Sequence, residues 1–137
     1  MFRFLQRLLK SGTETQETLL RSFGVQEQQL RDDFFRLAAA SGKPRGLKWS
    51  DCTWLDTNAL VRDPESGLVT LFCGVNLSFE AIEGGDMEDV EAVSTIRDGS
   101  AVFHYQNGNW GTGGRVLFNV DPEMATQVAA PGQERIS

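Results

Sequence analysis

Few side chains in this sequence are of the kinds that hold metal ions or attack substrates: there is one histidine, His104, and there are two cysteines, Cys52 and Cys73. The cysteines form no C-x-x-C pair, whereas zinc ribbons and disulfide-stapled domains need several closely spaced cysteines. The composition therefore argues against both classes and predicts no metal ion and no cofactor. We expect both thiols to stay reduced, because the predicted strands point them to opposite faces of a sheet.

Long hydrophobic runs are also missing. No apolar run approaches the roughly 18 residues that a membrane-spanning helix needs. Residues 1–10 interleave apolar side chains with Arg3, Arg7 and Lys10, so they lack the uninterrupted apolar region of a signal peptide. The sequence therefore predicts a cytoplasmic protein. Residues 1–10 can form a short basic amphipathic helix, which we expect to dock on its own domain and not on a membrane surface.

The charge of the chain is unevenly distributed. It has 13 Lys and Arg against 19 Asp and Glu, a net charge of −6, and the acidic excess falls after residue 50. Because an acidic region repels phosphates, we expect no nucleic-acid binding. The length suits a single domain at residues 1–137. We expect a helical layer at 1–46, an antiparallel sheet at 47–121, and a short helix with a loose tail at 122–137.

Capping residues and apolar spacing predict two helices in the N-terminal layer. Thr13 and Gln16 form a capping box for a first helix at about 14–23, which Gly24 would end. A second helix is predicted at about 26–41 by an apolar stripe with helical spacing. The stripe consists of Leu30, Phe34, Leu37, Ala38 and Ser41. Further along, Asp121 followed by Pro122 is typical of a helix start and predicts a short C-terminal helix.

Residues 68–82 show the strict alternation of a β-strand. The apolar set lies at odd positions: Val69, Leu71, Cys73, Val75, Leu77, Phe79 and Ala81. From about residue 49 onward, turn signals separate five such strands. The signals are residues 63–67, Gly84-Gly85, Asp98-Gly99 and Asn107-Gly108. The fold class that follows is α+β, with N-terminal helices packed on a five-stranded antiparallel meander sheet.

The turns predict a register that places apolar residues on one common face. The predicted neighbours are Val61 with Val69, Ala59 with Leu71, Leu55 with Val75, Phe79 with Val90, Leu77 with Ala92, Ile96 with Ala101, Ala92 with Tyr105, and Tyr105 with Trp110.

The candidate site lies on the other face of this sheet, since packing explains the apolar face. Its predicted residues are Trp54, Asn76, Glu91, His104, Gln106, Gly111 and Gly113. Ser78 and His104 would lie two strands apart, about 10 Å, which is too far for a nucleophile and its base. We therefore predict no catalytic residue here. Gly111 and Gly113 would leave a shallow depression for a ligand, or they would only bend the strand.

Two further features bear on partners. Acidic residues cluster between 80 and 91, and we expect them to be solvated charges that do not bind calcium. Trp54, Leu60 and Phe72 would project from the candidate-site face, where residues 1–10 or a second copy of the chain would cover them. This predicts a homodimer or a protein partner.

The sequence favours a non-enzymatic binding or protein-interaction module. The alternative is a small-molecule-binding protein or weak hydrolase that uses the surface around His104, Glu91 and Gly111.

Overall fold

A computed structural model of the chain describes residues 14–85 and 97–137. Within these residues it contains a long helix, a six-stranded antiparallel sheet and a short second helix, so the predicted α+β class is confirmed. In chain order the elements are α1 (Gln16–Ala40), β1 (Leu47–Arg62), β2 (Val69–Ala81), β3 (Arg97–Gln106), β4 (Asn109–Gly111), β5 (Val116–Phe118), α2 (Pro122–Ala129) and β6 (Glu134–Arg135). The strand order is β4-β3-β2-β1-β6, and β5 also pairs with β3.

Helix α1 is continuous, so the prediction of two helices separated at Gly24 is wrong. Glycine inside a helix costs about 1 kcal/mol relative to alanine, which the packing of a 25-residue helix outweighs. The helix begins at Thr15, whose side chain accepts a hydrogen bond from the N–H of Thr18. The predicted cap Thr13 lies outside the described residues. Three residues of the predicted apolar stripe, Leu30, Phe34 and Ala38, are buried, whereas Ser41 caps the end of α1 and is exposed.

The main core lies between α1 and one face of the sheet, here called the α1 face and marked by Leu71, Val75 and Phe103. Aromatic rings fill it: the Phe34 ring lies 5.4 Å from that of Trp54 and 6.0 Å from that of Phe103. Such edge and tilted contacts add to the gain from burying apolar area. The core therefore uses the odd positions of β2, as the alternation predicted.

The register between β1 and β2 differs from the prediction. Val61 pairs with Thr70, and Leu60 pairs with Leu71, because the connecting loop is one residue longer than the five-residue turn suggested. A slip of one residue exchanges the two faces of a strand. Leu60 therefore joins the α1-face core, whereas Val61 points to the opposite face.

Further along β1, two irregularities break the pairing. The partners jump from Asn58 with Cys73 to Trp54 with Val75, so residues 55–57 bulge opposite Gly74. The predicted contact of Leu55 with Val75 is therefore absent. A second shift lies between Trp49 and Asp51.

Strand β3 pairs directly with β2, which overturns the predicted meander order. Leu77 pairs with Arg97 and not with Ala92. Ala101 lies between Cys73 and Val116 and not beside Ile96. Tyr105 likewise lies between Val69 and Trp110 and has no place for Ala92. Asp98 and Gly99 are strand residues, although the sequence predicted a turn there. The pairing of Phe79 with Val90 involves a residue outside the described ones.

The turn at Asn107-Gly108 and the pairing of Tyr105 with Trp110 are confirmed. Both turn residues have positive φ, 54° and 83°, as a tight hairpin turn requires. Beyond β4, Gly114 lets α1 approach the sheet closely. A Cβ atom on Gly114 would lie 2.6 Å from the Cβ atom of Leu37.

Helix α2 covers the opposite face of the sheet, here called the α2 face and marked by Val61, Phe72 and Val102. Ala125 and Ala130 pack against these residues, and Phe72 is only 1 % exposed. The predicted cap is confirmed, because Asp121 Oδ1 accepts a hydrogen bond from the N–H of Met124.

The three apolar residues predicted to need an external cover are all covered by described parts of the chain. Trp54 and Leu60 pack on the α1 face, and α2 covers Phe72. Residues 1–10 lie outside the described residues.

The C-terminal segment is ordered by pairing, so the prediction of a loose tail after Pro131 is wrong. Strand β6 pairs with the end of β1, with Val61 opposite Arg135. The N–H of Ile136 donates to the carbonyl oxygen of Leu60 at 2.8 Å, and the Ile136 side chain packs on the main core.

Candidate functional site

The structure has a groove on the α2 face, beside the start of α2. Its volume is about 890 Å³, within the range of small-molecule sites. It is lined by Leu55, Thr57, Gly74, Asn76, Arg97, Asp98, Gly99, Asn119, Val120, Asp121 and Pro122. Only Asn76 of these was among the residues predicted for the site.

The bulge of β1 forms the first wall of the groove. Three residues, 55–57, stand opposite the single residue Gly74, so the chain arches over the α2 face at this point. A Cβ atom on Gly74 would lie 2.2 Å from Thr57 Oγ1. The wall can therefore adopt this position only because residue 74 has no side chain.

The second wall is the connection between β5 and α2. Asn119 adopts the left-handed backbone conformation, with φ 65°, which asparagine tolerates better than most residues. Its N–H donates to the carbonyl oxygen of Asp98 at 2.8 Å, and Ser100 Oγ donates to the carbonyl oxygen of Val120 at 2.9 Å. These two hydrogen bonds hold the wall against β3.

Asn76 on β2 lines the groove and carries a polar atom in an unusual environment. Its Oδ1 is buried and has no hydrogen-bond partner among the described residues. Gln133 Oε1 and Ser137 Oγ share this property, but both lie in the C-terminal segment and line no part of the groove. A buried acceptor without a partner costs about 1–3 kcal/mol, and a ligand that donates a hydrogen bond would recover this energy.

Three charged residues line the groove, and their side chains do not all leave the backbone on the same face of the sheet. Asp98 lies on β3 opposite Asn76, so its side chain leaves the strand on the α2 face. Arg97 lies opposite Leu77, a residue of the α1-face core, so its side chain leaves on the other side. Asp121 is exposed and caps α2. The charge that faces the groove is therefore mainly negative.

His104 belongs to a different part of the α2 face. It pairs with Thr70, and its Nδ1 lies 3.0 Å from Thr70 Oγ1. Asn76 is six residues further along β2, about 20 Å away at strand spacing. The sequence prediction placed Asn76 and His104 in one row because it inserted a strand between β2 and β3, and this placement is wrong.

Burial lowers the pKa of His104, and the positive charge of Arg115 lowers it further. The ring is therefore neutral at physiological pH. Thr70 is only 6 % exposed, so its hydroxyl group is poorly placed to meet a substrate. The contact between His104 and Thr70 accounts for the histidine as a packed side chain.

The remaining predicted site residues divide between several places. Gly111 pairs with His104, and Gln106 pairs with Asn109 at the exposed end of the hairpin. Space is open around Gly113, where a Cβ atom would have no neighbour within 4 Å. Glu91 lies outside the described residues.

Trp54 lies on the α1 face, away from the other predicted site residues. The Arg31 guanidinium carbon lies 5.0 Å from the centre of its ring, a cation–π contact. Both residues line a smaller cavity of about 290 Å³ together with Asp51 and Cys52. The contact with Arg31 and the core accounts for Trp54 without a ligand.

Both cysteines are free, but the reason predicted from the sequence is wrong. Cys52 and Cys73 both pack against the α1-face core, so they lie on the same face. Cys52 pairs with Leu77, four residues from Cys73, so about 13 Å separates the cysteines, beyond the reach of a disulfide. Burial is the main cause that raises the pKa of each thiol to about 12. Neither is an activated nucleophile.

Two absences among the described residues bear on other site classes. Residues 14–85 and 97–137 contain no group of three or more His, Cys, Asp or Glu side chains placed to hold a metal ion. None of the helices in those ranges has the length and apolarity to cross a membrane. The acidic cluster at 80–91 lies mostly outside the described residues, and its behaviour toward calcium stays a prediction.

Most of the groove was missed from the sequence, although two signals mark it. Residues 56–58 are three consecutive polar residues inside a strand, and Gly74 interrupts the side chains of the neighbouring strand. Glycine in a strand often accompanies a bulge or a close backbone approach. Comparison with protein-family models, curated proteins and solved structures found no significant match.

Proposed function

We propose that this protein binds a ligand without transforming it, and that the ligand site is the groove on the α2 face. The observation that carries the proposal is the buried Oδ1 of Asn76, an acceptor without a partner on a residue that lines a groove of about 890 Å³. Ligand sites combine this kind of volume with a few fixed polar groups.

The chemistry of the described lining residues favours binding over catalysis. Thr57 supplies the hydroxyl group of the groove, and no described base lies in hydrogen-bond contact with it. The carboxylates of Asp98 and Asp121 are both exposed, whereas a catalytic general acid usually lies in an apolar pocket. The groove therefore offers recognition groups without an activated nucleophile.

The surface around His104 is the alternative site, and its geometry supports a ligand less well. The ring is half-buried, its Nδ1 is in contact with Thr70, and Thr70 is itself buried. A weak hydrolase at this position would need a nucleophile that its described neighbours do not present.

An NMR fragment screen distinguishes the two sites. We expect weakly binding fragments to shift the backbone amide signals of Gly74, Asp98 and Asn119, which report on the groove. Filling the groove by Val120→Trp should abolish these shifts, and Gly113→Ala, in open space, should leave them unchanged. Fragments that shift only the signals of Thr70 and His104 would refute the proposal, and so would a screen in which no groove signal moves.

Self-association is a second candidate function, favoured by a specific observation. Met124 and Val128 lie one turn apart on α2 and are 45 % and 59 % exposed. Contact between this pair and the same pair of a second copy would bury both side chains. Sedimentation velocity should then show a dimer that Val128→Glu dissociates, with Val25→Glu as the exposed control on α1. A wild-type monomer at high concentration would exclude this candidate.

A further inference from the structure

We propose that the groove recognises a positively charged donor group, an alkylammonium or a guanidinium group, attached to a short apolar chain. This inference rests on the proposed function, because it specifies the ligand of the same groove. It follows from which polar atoms around the groove are already engaged and which are left.

Two donors beside the groove are used within the chain. The N–H of Asn119 donates to the carbonyl oxygen of Asp98, and Ser100 Oγ donates to the carbonyl oxygen of Val120. The start of α2 would ordinarily attract an anion. Here the Asp121 carboxylate occupies that position and accepts the hydrogen bond from Met124 N–H. An anionic ligand at the start of α2 would therefore meet a negative charge.

Three groups at the groove can accept further hydrogen bonds. Asn76 Oδ1 is buried and without a partner, and Asp98 leaves β3 on the same face directly opposite Asn76. Asp121 keeps a second carboxylate oxygen that makes no hydrogen bond among the described residues. An ammonium group has three donors and no acceptor, and a guanidinium group has five donors and no acceptor. Either group matches a set of one amide oxygen and two carboxylates.

Arg97 is the positively charged residue among those that line the groove, and its direction limits its effect. It pairs with Leu77, so its side chain leaves β3 on the α1 face. Arg97 therefore lines only the edge of the groove, and its positive charge does not lie beside the Asp98 carboxylate on the α2 face.

The apolar lining residues account for the second part of the ligand. Leu55 belongs to the bulge wall, whereas Val120 and Pro122 belong to the opposite wall. The two walls face each other across the acceptor set, so an alkyl chain attached to the cation can lie between them. Burial of such a chain contributes about 0.8 kcal/mol per CH₂ group.

Agmatine is a suitable probe, because it carries both a guanidinium and an ammonium group on a butyl chain. We expect agmatine to shift the amide signals of Gly74, Asp98 and Asn119 in a saturable NMR titration. The uncharged match 1,4-butanediol and the dianion glutarate should bind at least about tenfold more weakly, a difference of about 1.4 kcal/mol. Added salt should weaken agmatine binding, because the attraction is electrostatic.

Two variants with the same change of charge test where the cation binds. Asp98→Asn should raise the Kd for agmatine about tenfold or more. Glu65→Gln, in the exposed β1–β2 loop, should leave the Kd unchanged. Glutarate binding as tight as that of agmatine, or an unchanged Kd in Asp98→Asn, would overturn the inference. Uncharged fragments that shift groove signals while agmatine does not would overturn the inference alone, whereas silence from every compound would overturn the proposed function as well.

Discussion

Replacement of Gly74 by alanine tests the close contact that shapes the first wall of the groove. The new Cβ atom would lie 2.2 Å from Thr57 Oγ1 and 3.5 Å from Leu55 Cβ. The first distance is far below the roughly 3.5 Å at which non-bonded carbon atoms attract each other. Thr57 must therefore move, and overpacking of this kind costs about 1–3 kcal/mol.

Urea unfolding followed by tryptophan fluorescence measures this cost, since Trp49 and Trp110 are buried in the core. We expect a lower midpoint for Gly74→Ala and a fall in Tm of about 3–4 °C for each kcal/mol lost in a chain of this length. The double variant with Thr57→Ala should recover most of the loss, because it removes the clashing oxygen.

Gly111→Ala is the matched control for Gly74→Ala. Gly111 also lies in a strand, it has no positive φ, and a Cβ atom there would meet no neighbour within 4 Å. Alanine should therefore be neutral or slightly stabilising at this position, because it reduces the entropy of the unfolded chain. Equal stability of the Gly74→Ala and Gly111→Ala variants would show that Thr57 does not lie over Gly74, and the groove would lose its first wall.

Three further predictions concern the core, the histidine and the thiols. Phe72→Ala should lower the free energy of unfolding by about 3–5 kcal/mol, measured by urea unfolding, because α2 buries this ring; a loss below about 1 kcal/mol would contradict that cover. His104 has a lowered pKa in the folded protein, so the stability that its neutral form contributes is present above about pH 6.5, the unfolded value, and is lost as the pH falls from there through the lower folded pKa. As the pH falls through this range, the urea midpoint should fall less steeply for His104→Gln than for the wild type. Equal pH dependence of the two proteins would contradict a lowered pKa for His104. Cys73 should react with a thiol reagent far more slowly in the folded than in the denatured protein, because burial raises its pKa to about 12. Fast labelling of the folded protein would show that the thiol is accessible.

Local patterns predicted the elements that depend on neighbouring residues. The alternation of β2, the apolar stripe of α1, the Asn107-Gly108 turn and the Asp121 cap are all present. Each is decided within a few positions, because strand faces repeat every two residues and caps use the next turn of helix. The fold class followed from these patterns alone.

Pairing over long distances was harder to predict, as the position of Gly99 shows. Asp98-Gly99 has the composition of a hairpin turn, yet Gly99 lies in β3 between Val75 and Phe118. A Cβ atom on Gly99 would lie 3.0 Å from the carbonyl oxygen of Leu117, so a close backbone approach accounts for the glycine. Turn composition does not distinguish these two uses of glycine. The error displaced the pairings predicted for Leu77, Ala101 and Tyr105 with residues 92 and 96.

The candidate site depended on that pairing, so most of it was misplaced. In the structure Trp54 lies on the α1 face, and Asn76 lies far from His104 along the strands. Both predictions failed because the register of a strand decides the face and the row of each side chain. The walls of the groove arise where regular strand pairing is broken, at residues 55–57 and 119–122. Periodicity describes regular elements, and it therefore could not locate a site built from irregular ones.

The packing of the C-terminal segment can also be tested by mutation, because the sequence predicted no structure there. Ile136, the residue after β6, donates its N–H to the carbonyl oxygen of Leu60 and packs its side chain on the main core, whereas Glu134 in β6 is exposed. Ile136 is only partly buried, so Ile136→Ala should cost about 1–3 kcal/mol, below the usual loss for a fully buried isoleucine. Glu134→Ala should change stability by less than about 0.5 kcal/mol, as exposed substitutions usually do. Urea unfolding of the two variants compares them directly. If both leave the midpoint unchanged, the segment contributes no packing, and the loose tail predicted from the sequence is the better description.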